Sequence, residues 1–122
     1  MASQIKIKRL YTAVEKSDGR RILVDRLWPR GIARSEAALD DWARAIAPSN
    51  EIRRQFGHDP ARFPAFARAY RAELNANPAA RVFLATCRDA LQTGDVTFLY
   101  AAKDPLHNNA AVLLDWAREA LF

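Results

Sequence analysis

The chain has 122 residues, of which 50% are hydrophobic and 27% charged, and its net charge is +5. This length fits one domain over residues 1–122, and the lone cysteine, Cys87, excludes an internal disulfide and any multi-cysteine metal site. No apolar stretch reaches 18 residues, and the segment before Ile5 lacks the apolar core of a signal peptide. We therefore expect a cytoplasmic protein with no membrane partner. The basic balance favours anionic partners.

Three segments predict strands, over residues 5–10, 21–25 and 96–102, and the first of them partly alternates between apolar and charged residues. The last two are almost continuously apolar, which is typical of a sheet covered on both faces. A long helical segment separates them, as a crossover between parallel strands requires. We expect a three-layer α/β domain whose small, mainly parallel sheet of about three strands is flanked by helices.

Capping residues and helical spacing predict the helices between and after these strands. The first begins at a Ser35 cap, and Trp42 and Ile46 continue its spacing as far as Pro48. The others are predicted from caps followed by apolar stripes, at Ser49 up to Gly57, at Asp59-Pro60, at Asn77-Pro78 up to Gly94, and at Asn108 or Asn109.

Two loops turn polar where the second and third predicted strands end, at residues 25–31 and 103–109. Because parallel strands end at one edge of a sheet, and ligands bind there in α/β folds, these loops predict a site. Arginine and lysine bind phosphate or carboxylate, and the start of a helix favours an anion. The predicted ligand-binding residues are Arg26, Arg30, Lys103, Asn108 and Asn109.

Each of the two histidines lies in a loop with an aspartate and a proline. Histidine suits acid–base chemistry near neutral pH, and a contact with aspartate orients its ring. The candidate catalytic residues are Asp25, His58, Asp104 and His107. The same side chains could hold a metal ion, but their spacing matches no established zinc motif, so no metal is predicted. Phosphate-binding and dinucleotide glycine motifs are also missing from the sequence, and no cofactor is predicted.

Two further functions fit the sequence besides a small-ligand protein or enzyme. A nucleic-acid-associated or regulatory protein would use the arginine-rich surface, and its binding would weaken steeply with salt. A protein-interaction module without catalysis would instead need an exposed apolar patch, to which Trp28, Trp42 and Leu121-Phe122 could contribute. Cys87 lies on the apolar face of a predicted helix, which favours a structural role over a nucleophilic one.

The motifs in residues 24–31, 56–60, 100–104 and 107–110 resemble those of the YeaO-like family of small microbial proteins of unknown function. The resemblance covers roughly residues 5–120. It emphasises the two strand-end loops and the His58 loop, and it implies no settled activity, so whether the protein is an enzyme stays open. A more distant branch carries cysteine and histidine after its last strand. This chain has Lys103, Asp104 and His107 there, so thiol chemistry is not carried over.

Overall fold

The centre of the fold is an all-parallel sheet of four strands, seen in a computed structural model that describes residues 2–122. The strands are β1 (Ile5–Arg9), β2 (Arg20–Leu23), β3 (Asp41–Trp42) and β4 (Val96–Tyr100), in the order β1-β4-β2-β3. Each neighbouring pair is parallel. The order places β4 and β2 side by side as the two inner strands. The predicted α/β domain with a small parallel sheet is confirmed, with one strand more than expected.

The additional strand, β3, lies in the segment where one helix was predicted from Ser35 to Pro48. Helix α1 (Arg34–Ala37) starts before Ser35 and is ended by Ala38, the residue after it, which adopts a left-handed φ of 50°. The chain then extends to pair with β2 and closes a 3₁₀ turn at Arg44–Ile46. The predicted continuation of the helix through Trp42 and Ile46 is therefore wrong. A two-residue strand has no periodicity of its own, and the helical spacing around it was accidental.

The remaining helices are α2 (Asn50–Phe56), α3 (Phe63–Ala76), α4 (Pro78–Leu91) and α5 (Asn109–Leu121). Three of them begin at the capping residues that predicted them, whereas the predicted cap Asp59 starts a 3₁₀ turn and α3 follows that turn. The side chains of Ser49, Asn77 and Asn108 accept backbone N–H groups at the starts of α2, α4 and α5. Proline is compatible with the first turn of α3 and α4. Backbone N–H groups in the first turn have no acceptor within the helix, so a residue without an N–H loses no hydrogen bond there. No helix in residues 2–122 has the length and apolar character needed to span a membrane.

The two faces of the sheet are covered by different kinds of structure. On one face, Ile22, Val24 and Phe98 pack with the apolar side chains of α2 to α5 in the main core. On the other face, Leu23 and Leu99 form a smaller cluster beneath α1, Trp28 and Trp42. Alternation along β2 and β4 supplies both clusters, because successive side chains of a strand point to opposite faces.

A buried ion pair lies on the second face of the sheet. Asp18 and Arg21 are 2% and 4% exposed, and Lys8 contacts the same carboxylate at 2.9 Å. Burial raises the pKa of Asp18, but hydrogen bonds from the Glu15 N–H, Lys8 and Arg21 outweigh it, so that the pKa lies below its ordinary value. The hydroxyl of Thr97 donates to the Asp18 carbonyl at 2.7 Å, which ties this turn to β4.

We predict that Asp18→Asn lowers the free energy of unfolding at pH 7 by about 3–5 kcal/mol, because it leaves Arg21 buried without its counter-charge. Since the pKa of Asp18 is lowered on folding, its stabilisation is complete above the ordinary value of 3.8 and is lost as the pH falls through the folded value. Urea unfolding at several pH values should show the stabilities of wild type and variant converging below the folded pKa of Asp18.

The control is Asp41→Asn, which removes the half-exposed partner of Arg20. It should lower the free energy of unfolding by about 1 kcal/mol or less. Equal losses in the two variants would contradict this prediction.

Candidate functional site

A cleft of about 720 Å³ opens at the edge of the sheet where β2 and β4 end. Its walls come from residues 25–30 after β2, residues 101–104 and 107–109 after β4, and the end of α2 with the loop that follows it. All nine residues predicted for the site line this one cleft, namely Asp25, Arg26, Arg30, His58, Lys103, Asp104, His107, Asn108 and Asn109. Their chemical roles stay predictions, but the two loops and the His58 loop do meet.

Asp25 joins the two strand-end loops to the start of α5. Its Oδ2 accepts the N–H of Ala101 at 3.0 Å, and its Oδ1 accepts the side-chain amide of Asn109 at 3.1 Å. The same Asn109 amide donates to the carbonyl of Val24 at 3.1 Å. Burial raises the pKa of Asp25, while these hydrogen bonds and the charges of Arg53 and His58 oppose the rise. Both carboxylate oxygens therefore serve to hold the cleft together.

Asp104 orients His107 within the second loop. The Nδ1 atom of His107 lies 2.8 Å from Asp104 Oδ2, while Asp104 Oδ1 accepts the N–H groups of Leu106 and His107. The Leu106 hydrogen bond and then the His107 ring lower the pKa of Asp104. The rings of His107 and Phe63 also meet edge to face, with centroids 5.2 Å apart. Because Nδ1 faces Asp104, Nε2 is the ring nitrogen that has no hydrogen-bond partner among the described residues.

His58 reaches the cleft through an unusual turn after α2. Gly57 and His58 both adopt left-handed backbone conformations, with φ of 54° and 58°. This conformation costs an L-residue about 1–2 kcal/mol, although histidine tolerates it better than most. His58 lines the cleft, and its charge opposes the rise in the pKa of Asp25.

The five predicted ligand-binding residues differ in whether their side chains already make hydrogen bonds to other groups of the protein. Arg26 donates to the carbonyls of Pro48 and Ala47, and the buried Asn108 spans the Ala111 N–H and the Asp104 carbonyl. Arg30 and Lys103 are exposed, and neither has a carboxylate partner within the described chain. Only these last two ligand candidates thus present a cation without an intramolecular partner among residues 2–122.

The structure adds cleft residues that were missed from the sequence. Arg9, at the end of β1, donates to the carbonyls of Ala101 and Ala102, and Arg53 enters from α2. Because β1 is parallel to β4 and pairs with it, its carboxyl end lies at the same edge. Knowledge of the strand order would have predicted Arg9. Aromatic and apolar side chains complete the lining, including Tyr11, Leu27, Trp28, Phe56 and Phe66.

The comparisons with known proteins identify the family. A family model described as the inactive DUF488-N3 subclade matches residues 4–122. The chain belongs to this family. It is similar to the uncharacterized protein YeaO of Escherichia coli K12, with 44% identity over 114 residues, which are 93% of this chain and 96% of that protein. The resemblance to the YeaO-like proteins is therefore confirmed.

Mycobacterial relatives match less closely but over nearly the same span. The uncharacterized proteins Mb3100c of Mycobacterium bovis and Rv3073c of Mycobacterium tuberculosis are each 35% identical over 111 residues, covering 91% of both chains. No solved structure matches the chain.

In this member of the DUF488-N3 subclade, Cys87 lies away from the cleft. It is fully buried in α4 as part of the main core, and burial raises the pKa of its thiol to about 12. The predicted position of Cys87 on the apolar face of a helix agrees with this burial.

We predict that Asp25→Ala lowers the free energy of unfolding by about 1–3 kcal/mol, because the Ala101 N–H and the Asn109 amide lose their acceptor. Chemical unfolding measures the loss, and the Ala101 amide should also exchange its hydrogen faster. Asp115→Ala, which removes an exposed carboxylate of α5, should leave both quantities unchanged. A variant at Asp25 as stable as the one at Asp115 would argue against the role of this carboxylate.

We predict that His58→Gly is more stable than His58→Ala by about 1 kcal/mol, because glycine adopts the left-handed conformation without steric cost. Both variants lack the imidazole, so their difference isolates the backbone term. Thermal unfolding of the pair measures it. Equal melting temperatures would mean that the left-handed turn carries no strain.

Proposed function

We propose that the protein binds a small anionic ligand of the phosphate class in the cleft at the carboxyl edge of its sheet. The observation that carries the proposal is the charge of the lining, in which five cationic side chains face two carboxylates. Both carboxylates already accept hydrogen bonds from protein donors. The excess of positive charge suits a phosphomonoester, which carries about −1.5 to −2 at pH 7.

The cations divide into fixed and available groups. Arg9 and Arg26 are held by backbone carbonyls, which fix their positions without neutralising their charge. Arg30 and Lys103 lie on the two different loops and are free to contact a ligand between them. An arginine supplies paired N–H donors to phosphate oxygens, whereas a lysine supplies a compact charge.

The proposal is binding rather than turnover. Asp25 and Asp104, two of the candidate acid–base residues, are engaged in positioning Asn109 and His107. The description of the family as inactive agrees with this assignment. In this proposal, His107 and His58 contribute hydrogen bonds to the anion, and the carboxylates keep the loops in place.

We predict that methyl phosphate binds in the cleft and that the double variant Arg30→Ala, Lys103→Ala raises its Kd at least tenfold. Such a change corresponds to about 1.4 kcal/mol, less than two charge-assisted hydrogen bonds contribute. Titration of the ¹⁵N-labelled protein followed by NMR suits weak binding and locates the site from the amide shifts. Shifts should concentrate in residues 25–31 and 101–109.

The matched control is Arg81→Ala, Arg88→Ala, which removes the same charge from exposed positions of α4. It should change the Kd less than twofold. Equal weakening in both double variants would overturn the site and indicate attraction by overall charge. Tighter binding of a DNA duplex, falling steeply with salt in both variants, would favour the nucleic-acid alternative. Shifts confined to other surfaces would also contradict the proposal.

A further inference from the structure

The cleft has an apolar wall that a bare inorganic anion does not require. Tyr11 and Leu27 line it and remain 41% and 56% exposed, and Trp28 lines it beside them. Large apolar side chains left in water within a concave site gain stability only when something covers them. The wall therefore indicates the chemistry of the ligand beyond its charge.

This wall is held next to one of the two available cations. The Tyr11 hydroxyl donates to the carbonyl of Arg30 at 2.9 Å, which fixes the tyrosine ring against the 25–30 loop. The Arg9 guanidinium lies over the same tyrosine ring, 4.7 Å from its centroid, and also holds the ring in place. A ligand whose charged group meets Arg30 thus has an aromatic surface within reach.

Trp28 is equally well fixed. Its indole N–H donates to the carbonyl of Ile32 at 2.8 Å, and its ring meets that of Trp42 edge-on, with centroids 5.4 Å apart. The Arg34 guanidinium covers it at 4.5 Å. Side chains held in this way lose little conformational entropy when a ligand packs on them.

The size of the cleft points the same way. Its 720 Å³ is far more than one phosphate group fills. Sites for organic ligands usually measure about 300–1,000 Å³ and combine apolar walls with a few converging polar groups. The lining described above has this composition.

We propose that the ligand is an aromatic phosphomonoester, with its phosphate between Arg30 and Lys103 and its ring against Tyr11, Leu27 and Trp28. This inference rests on the proposed function, because it assigns the phosphate to the same cations. Flat rings pack on aromatic side chains in offset or edge-on arrangements, which a methyl group cannot exploit.

The test compares phenyl phosphate with methyl phosphate, which share the charged group and differ in the ring. We expect phenyl phosphate to bind at least tenfold more tightly in the NMR titration. Leu27→Ala should reduce this ratio at least threefold. The control is Leu106→Ala, because Leu106 is 71% exposed in the other loop and lies outside the lining. That variant should preserve the ratio.

The outcomes separate the two proposals. Equal affinity for the two phosphates would overturn the aromatic ligand while leaving the anion site intact. Failure of both to bind would overturn the proposed function and this inference with it. A ratio reduced as much by Leu106→Ala as by Leu27→Ala would mean that the apolar wall does not contact the ring.

Discussion

The parallel pairing of β2 with β4 is the constraint on which the site depends. The ladder continues past the end of β2, where the N–H of Val24 donates to the carbonyl of Leu99 at 3.1 Å. At the next position, the Asp25 side chain accepts the Ala101 N–H. Because both strands leave the sheet at the same edge, one carboxylate can hold both loops and, through Asn109, the start of α5. The hydrogen bonds that hold the walls of the cleft thus continue the ladder between β2 and β4.

The charges of the cleft follow from this arrangement. A partly buried carboxylate is unfavourable unless donors and positive charges compensate it, and Arg53 and His58 supply charge near Asp25. The further cations repel one another, and carbonyl oxygens offset part of that repulsion at Arg9 and Arg26. Carbonyl dipoles stabilise these cations without cancelling their charge. The lining consequently keeps an excess of positive charge, on which the proposed anionic ligand depends.

The sequence predicted those parts of the molecule whose signals are local. The apolar runs of β2 and β4 and the caps at Ser49, Asn77 and Asn108 each act within a few residues, and the structure confirms them. The strand β3 was not predicted because two residues carry no hydrophobic pattern. Arg9 and Tyr11 were not predicted as cleft residues because their place beside β4 depends on strand order, which local signals do not determine.

The orientation of each cationic side chain was even less predictable from the sequence, because it depends on tertiary contacts. Arg26 and Arg30 belong to one loop, yet Arg26 meets the carbonyls of Ala47 and Pro48 while Arg30 stays exposed. The segment that holds Arg26 takes its position from the docking of the helical layer, where the buried Tyr70 hydroxyl donates to the carbonyl of Ile46 at 2.7 Å. A contact made by α3 therefore helps to fix Arg26 in the wall of the cleft, which no pattern within the 25–31 loop could predict.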